Sequence, residues 1–247
     1  ECAAVPHYLV GERSVVEPYS ASLFAAEATA LVREQHQKGD YALVSGGSMM
    51  YIDALCNGID EMPDVRPEIR RQVWQRYEVE GLTPILEELA VLDPVYYQRV
   101  DRHNYKRVLH GYEMCLSTGR PFSSFHTGQQ QERPWHTLKI GLTRDREELY
   151  TRINKRVELM IEEGLEAEAC AVYQYRALNA LNTVGYKELF AYFDGTIDLA
   201  EAVRQIQRNS RIYARKQLSW WRRDAEIHWF HPNDLAGIME YIYNCNV

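Results

Sequence analysis

Between Asn57 and Arg133 every break in the hydrophobic pattern opens a new helix and no convincing strand intervenes, whereas strand-like runs stand on both sides of this stretch. Pro67, Pro84 and Pro94 each sit where a first helical turn would begin, the last two preceded by Thr83 and Asp93 as capping residues. Asn104 caps a further helix through Leu116 that ends near Gly119 and Pro121, and Ser123 to Pro134 reads as a polar loop. A chain so arranged is expected to be α/β, with a core formed by residues 1–58 and 136–247 and an all-helical insertion over residues 59–135.

The flanks carry the alternation an α/β core needs. Ser20 to Lys38 has Leu23, Phe24, Ala28, Leu31 and Val32 on one helical face and Gly39 as its stop. A short apolar strand, Tyr41 to Ser45, then leads through Gly46-Gly47-Ser48 into a helix at Met49, a unit that places ligand groups at the strand's carboxyl end. A strand returns at Leu138–Leu142, followed by a helix from Arg146 to Glu163 stopped by Gly164. Helices are predicted at Glu166–Tyr175, Val184–Phe193 and Leu199–Arg223, then a strand at Glu226–Phe230 and a helix from Asn233 to Tyr243. With 247 residues and 46% hydrophobic content, these elements can bury a real core.

Formal net charge is −7, which taken alone argues against a nucleic-acid partner. The average hides a reversal. From Ala202 to Arg223 there is no Asp or Glu, yet Arg204, Arg208, Arg211, Arg215, Lys216, Arg222 and Arg223 all occur. Helical spacing puts Arg204, Arg208, Arg211, Arg215 and Arg222 along one stripe, where like charges repel by a few tenths of a kcal/mol per pair (~0.2–0.5) unless something answers them. A polyanion is the natural answer; the plainer one is a solvated face paired with acids from elsewhere in the chain. Tyr213, Trp220 and Trp221 interleave with the stripe and suit either base stacking or the core.

Arg152, Lys155 and Arg156 form a second basic cluster on the Arg146–Glu163 helix. A guanidinium can hold two phosphate oxygens at once, which suits a leaving diphosphate, while pairing with Glu148 and other acids one turn away is the plain alternative. Gly46-Gly47-Ser48 offers backbone N–H groups and a hydroxyl, but two glycines after a strand more often make only a tight turn, and no G-x-x-x-x-G-K-[ST] loop occurs in the sequence. Within the helical stretch, Arg70 with Arg71, and Lys106 with Arg107 and His110, are placed either for a nucleic-acid backbone or for solvent.

Five scattered cysteines without C-x-x-C spacing suggest neither a zinc site nor a disulfide framework, so a reducing cytoplasm is expected. No apolar run approaches the roughly 18 residues of a membrane span, and no signal peptide is recognisable. Glu1 is not a natural start, and upstream sequence is expected.

Five stretches in order resemble the tRNA dimethylallyltransferase (isopentenyl-tRNA transferase) family: Val5 to Leu9, Val44 to Tyr51, Leu149 to Val157, Val184 to Glu188 and Tyr213 to Trp220. The resemblance implies a P-loop-type parallel-sheet core with a helical insertion that clasps the tRNA anticodon stem-loop. It implies transfer of a dimethylallyl group from dimethylallyl diphosphate to N6 of the adenosine on the 3′ side of the anticodon, position 37, with Mg2+ assisting departure of diphosphate from a monomeric enzyme. Arg156 matches the arginine that engages the diphosphate, and Ser48 stands where the family usually has a threonine near the tRNA. Arg70 matches a tRNA-contacting position, as does the run Lys106, Arg107, Val108, Leu109 and His110, where His110 replaces a usual arginine. So do Asn182, Thr183, Val184, Gly185, Tyr186 and Lys187, with Asn182 at a position where arginine can occur. The run Arg215, Lys216, Gln217, Leu218, Ser219, Trp220, Trp221 and Arg222 matches another, and Arg211 joins it through the charge stripe. By the same resemblance the phosphate loop and the aspartate that acts as general base lie upstream of Glu1, so residues 1–247 alone are expected to bind RNA without transferring the isoprenoid. Two rivals stand: an isopentenyltransferase for free adenine nucleotides, and a non-catalytic RNA-binding module.

Overall fold

A computed structural model describes residues 5–60, 62–127 and 133–245. The chain divides into two compact units, one of residues 1–56 with 133–247 and one of residues 57–132.

The first unit begins with α1 (Ala21–His36), capped by Ser20, whose hydroxyl accepts from the Leu23 N–H at 3.2 Å. Its buried face is Ala25, Ala28 and Val32, rotated from the expected one so that Leu23 is left exposed. After it the predicted strand Tyr41–Ser45 does not form, and Leu43 is 95% exposed. A strand is stable only where a neighbour accepts its ladder bonds, and among the described residues the only two strands pair with each other. The predicted helix after the glycines does form, as α2 (Met49–Asn57). Arg133 donates to the carbonyls of Leu55 (2.8 Å) and Ala54 (3.0 Å), placing a cation at the negative end of α2.

The second unit holds α3 (Pro67–Glu80), α4 (Thr83–Leu92), α5 (Pro94–Arg99) and α6 (Tyr105–Thr118), with no strand among its described residues. Asp93 caps α5 as expected and Asn104 caps α6, which closes on Gly119 in the left-handed region. Thr83 is not a cap: it lies inside α4, whose preceding residue is Leu82. The expected polar loop begins instead with a 3-10 turn at Phe122–Phe125 whose Phe122 is buried, while positions 128–132 lie outside the described residues. Ile85, Leu89, Val108, Leu109, Tyr112 and Met114 form its core. Asp93 is also buried. Burial pushes its carboxyl up, but hydrogen bonds from the Ser123 N–H and hydroxyl and the Tyr96 N–H outweigh that and hold it below its usual range.

The first unit resumes with β1 (Lys139–Leu142), α7 (Arg146–Glu162), α8 (Leu165–Val172) and α9 (Tyr186–Phe193), then α10 (Leu199–Trp221), β2 (Ile227–Phe230) and α11 (Leu235–Asn244). Several boundaries differ by one to three residues from those predicted: α8 ends at Val172 and continues as a 3-10 turn, Tyr173–Tyr175, α9 begins at Tyr186 rather than Val184, α10 ends at Trp221 rather than Arg223, and α11 begins at Leu235 rather than Asn233. Strands β1 and β2 are parallel, with Lys139 opposite Ile227 and Leu142 opposite Phe230, so the helices between them form the crossover that a parallel pair requires. Glycine at 141 leaves room for the Trp229 ring, which would have to shift to admit a Cβ standing 2.6 Å from it. Val157, Leu165, Leu181, Leu189, Phe190 and Ile206 build the helical core of this unit. No described helix is long and apolar enough to cross a membrane.

Candidate phosphate-binding and nucleic-acid faces

Helix α7 starts at Asp145, which accepts from the Glu147 N–H at 2.8 Å. Its Asn154 faces α10, accepting through its side chain from Arg211 and through its carbonyl from Gln207 at 3.3 Å, and Val157 is buried one turn on. With that face fixed inward, Arg152, Lys155 and Arg156 are exposed. The pairing with Glu148 that would have neutralised them is absent among the described residues. Glu148 forms its ion pair with Arg144, and its other oxygen lies 3.7 Å from His231.

Helix α10 begins at the cap Asp198 and buries Ala202 and Ile206. Among the described residues only Arg204 of its basic residues has an ion pair, with Glu201 one turn back at 2.7 Å. Arg208, Arg215, Lys216, Arg222 and Arg223 are exposed with no acidic partner within 4 Å among the described residues. Half-buried Arg211 binds the neutral Asn154 instead. Beyond Arg204, the stripe is therefore not paired with acids among the described residues.

The other side of α10 holds the glycine turn. Gln217 donates to the Gly47 carbonyl at 2.7 Å, Tyr213 donates to the same oxygen at 3.2 Å, and the Trp220 indole donates to Asp53 of α2 at 2.7 Å. Gly46-Gly47-Ser48 is thus pinned between two helices, with Ser48 partly exposed at the start of α2. These bonds occupy polar atoms of Gln217, Tyr213 and Trp220, although Trp220 and Tyr213 keep exposed ring surface. A Cβ at Gly47 would sit 2.5 Å from the Gln217 amide nitrogen. Gly47→Ala is therefore expected to displace that amide and cost about 1 kcal/mol, the worth of one hydrogen bond. Gln217→Ala made first should abolish most of the effect; urea titration of the single and double variants reads the coupling, and strictly additive losses would refute the interaction.

The run Asn182–Lys187 forms the loop into α9. Asn182, Thr183 and Lys187 are exposed, Gly185 is buried with φ +106°, and Tyr186 bonds through its hydroxyl to Glu168, which pushes the phenol up to about 12. Sequence reasoning missed the residue that holds this loop. Glu188 is 3% exposed, and its carboxylate accepts from the Gly185 N–H at 2.8 Å and from the Asn209 amide of α10 at 2.7 Å. A glutamate at the third helical position, reaching back to the backbone before the helix, was a readable signal.

In the second unit Lys106, Arg107 and His110 are exposed on α6, but Val108 and Leu109 are 0% and 1% exposed. Their side chains belong to the core, so a side-chain contact with RNA from either is corrected: the helical period sends them inward. Arg70 and Arg71 are not free cations. Arg71 lies 3.9 Å from Glu68, and Arg70 lies 3.6 Å from the buried Glu113, whose Oε1 has no hydrogen-bond partner. Burial pushes the Glu113 carboxyl above its ordinary value of 4.5, against the pull of Arg70. The fold therefore holds that proton more tightly than the unfolded chain does, and the charge costs stability once pH rises from 4.5 through the raised folded value. Glu113→Gln is expected to stabilise by about 1 kcal/mol at pH 8, the cost of an unsatisfied buried acceptor, with the gain vanishing below pH 4.5. Thermal melts across that range check it; a loss of stability at pH 8 would show that the Arg70 pair outweighs burial.

Residues 1–224 match the IPP transferase family. The chain belongs to that family. It is 60% identical to a protein of Porphyromonas gingivalis named tRNA dimethylallyltransferase 2, over 95% of this chain and 78% of that one. Its structure resembles the full-length tRNA isopentenylpyrophosphate transferase of Bacillus halodurans at 32% identity and a TM-score of 0.65, covering 98% of this chain and 77% of the other. A eukaryotic dimethylallyltransferase captured acting on tRNA shares the fold, with a TM-score of 0.71 at 23% identity over 90% of this chain and 59% of that one.

Proposed function

We propose that this protein transfers a dimethylallyl group from dimethylallyl diphosphate to N6 of the adenosine at position 37, beside the anticodon of tRNA. The observation that carries the reading is the pair of exposed basic faces, on α7 and on α10 beyond Arg204, without ion pairs among the described residues in an acidic member of the IPP transferase family. In this reaction the N6–C1 bond forms as the C1–O bond breaks, the diphosphate leaves with its electron pair, and the N6 proton passes to a base. Charge grows on the departing group, so a cation placed there stabilises the transition state more than the ground state. Arg156 is assigned that role. Asn182–Lys187, Arg211 and Arg215–Arg222 are assigned to the RNA, with Ser48 beside them.

In the same proposal β1 and β2 belong to a P-loop-type core, and the helical unit of residues 57–132 meets the anticodon stem-loop through Lys106, Arg107, His110 and Arg70. The Mg2+ that the resemblance implies would be held largely by the diphosphate oxygens and water, since Mg2+ is usually bound through one or two carboxylates plus substrate phosphates, and no step is assigned to it. A reducing cytoplasm and a monomeric state are part of the same proposal; the four described cysteines are free thiols, as a reducing compartment would keep them.

The decisive assay incubates the full-length protein with an anticodon stem-loop RNA and dimethylallyl diphosphate, with adenosine monophosphate as competitor. Mass analysis of the digested nucleosides should find one five-carbon unit on the adenosine 3′ to the anticodon. Preferential modification of the free nucleotide would overturn the tRNA assignment.

A further inference from the structure

Arg208, Arg211 and Arg215 of α10 meet Arg146 and Tyr150 from the first turns of α7, and with Ile212 they line a cleft of about 320 Å3. No carboxylate is among the lining side chains. Arg146, Arg208 and Arg215 are exposed, and none of them has an ion pair among the described residues. Arg146 sits in the first turn of α7, where the positive end of the helix disfavours a cation, and its guanidinium lies over the Tyr150 ring at 5.3 Å. Four like charges thus share one cleft without an ion pair among the described residues; Arg211 is held by a neutral amide, Arg146 lies over an aromatic ring, and Arg208 feels Glu201 only at longer range. Such an arrangement costs stability in the free protein and returns it when an anion enters.

We infer that this cleft is a docking site for a phosphate of the RNA backbone, with Arg146 and Arg208 as its contributing residues beyond the tRNA-contacting runs already assigned. The inference rests on the tRNA reading above. Guanidinium groups, rather than ammonium groups, line the cleft, and their planar forks match phosphate oxygens. Arg208 and Arg215 stand exposed, so a macromolecule can reach them, and Arg215 continues directly into the run Arg215–Arg222. The cleft is separate from the diphosphate position. Arg156, the residue assigned to the diphosphate, lies ten positions beyond Arg146 and six beyond Tyr150 on α7, about 15 Å and about 9 Å along the helix axis from the cleft's lining.

The test uses the full-length protein with Arg146→Gln, Arg208→Gln and the double variant, both sites being exposed and the fold verified by thermal melting. Anisotropy of a labelled anticodon stem-loop is followed over a range of salt, and KM for dimethylallyl diphosphate is measured at saturating RNA. Each single variant is expected to weaken RNA binding about tenfold, as removal of a charge-assisted hydrogen bond does. The slope of log K against log salt should fall by about one for each phosphate that is no longer neutralised. Arg146→Lys and Arg208→Lys should keep most of the slope, and KM for the diphosphate should not move. Unchanged affinity and slope in the double variant, with wild-type binding normal, would overturn the cleft alone. A raised KM for dimethylallyl diphosphate with RNA affinity intact would overturn it too, by making the cleft a free-diphosphate site. Absence of salt-dependent RNA binding by the wild-type protein would instead sink the tRNA reading on which the cleft depends.

Discussion

Arg156→Ala is expected to reduce the rate of dimethylallyl transfer by about 10²–10³-fold, the scale of losing one group that stabilises charge in the transition state, while affinity for the anticodon stem-loop stays nearly unchanged. The separation follows from geometry. Arg156 is exposed on α7, has no ion pair among the described residues, and lies on the side of the helix away from α10. Its charge is therefore available to a leaving diphosphate without serving the RNA-facing stripe. Truncation leaves no buried partner orphaned, so thermal stability should hardly move. Arg156→Lys should recover only part of the rate, because an ammonium meets the diphosphate as a point charge and cannot present two parallel donors. Single-turnover kinetics at saturating RNA, set beside anisotropy of the same stem-loop, separate the two effects. A loss of RNA affinity as large as the loss of rate would refute the assignment and place Arg156 among the RNA-binding residues.

How far the sequence revealed this arrangement depended on whether a feature was local. The capping residues Asp93 and Asn104 act on N–H groups three positions away, so the helices they open were legible to within a residue or two. Tyr41–Ser45 has the composition of a strand, but forming one depends on a neighbour that composition does not report, and Leu43 remains almost wholly exposed. The basic stripe was visible as a charge pattern; whether it was already neutralised depended on residues far away in sequence. Glu148 turned out to serve Arg144, and Asn154, a neutral residue without any motif, turned out to hold Arg211. The run Lys106–His110 matched as a block, yet a helix sorts its residues by angle, and Val108 and Leu109 went to the core while their neighbours faced outward. A pairwise match of five positions says nothing of which side chains a helix turns to solvent.

Glu188→Ala is expected to lower stability by about 2–4 kcal/mol, since each unsatisfied buried group costs about 1–3 kcal/mol, and to weaken RNA binding more than it affects the diphosphate substrate. Glu188 is a buried carboxylate with both oxygens used, one by the Gly185 N–H and the other by the Asn209 amide of α10. Removing it strands the buried Gly185 N–H and the part-buried Asn209 amide and empties the space between the loop and the helix. The damage has a direction. Gly185 holds a φ of +106° that its neighbours enforce through this carboxylate, and the exposed Asn182, Thr183 and Lys187 depend on that loop for their position. Lys187 would also lose the anion 3.7 Å from its ammonium, freeing it to wander. Glu188→Gln keeps an acceptor for one of the two donors and should lose roughly half as much, as expected when one of two bonds survives. Urea titration should find a lower midpoint with an unaltered slope, since the native fold persists with weaker ties. Anisotropy at a temperature where both proteins are folded should then reveal a lower affinity for the stem-loop with KM for dimethylallyl diphosphate little changed. A wild-type midpoint in Glu188→Ala would mean that the loop is held by its glycine and its packing alone, and the carboxylate would lose its role as the tie between the Asn182–Lys187 loop and α10.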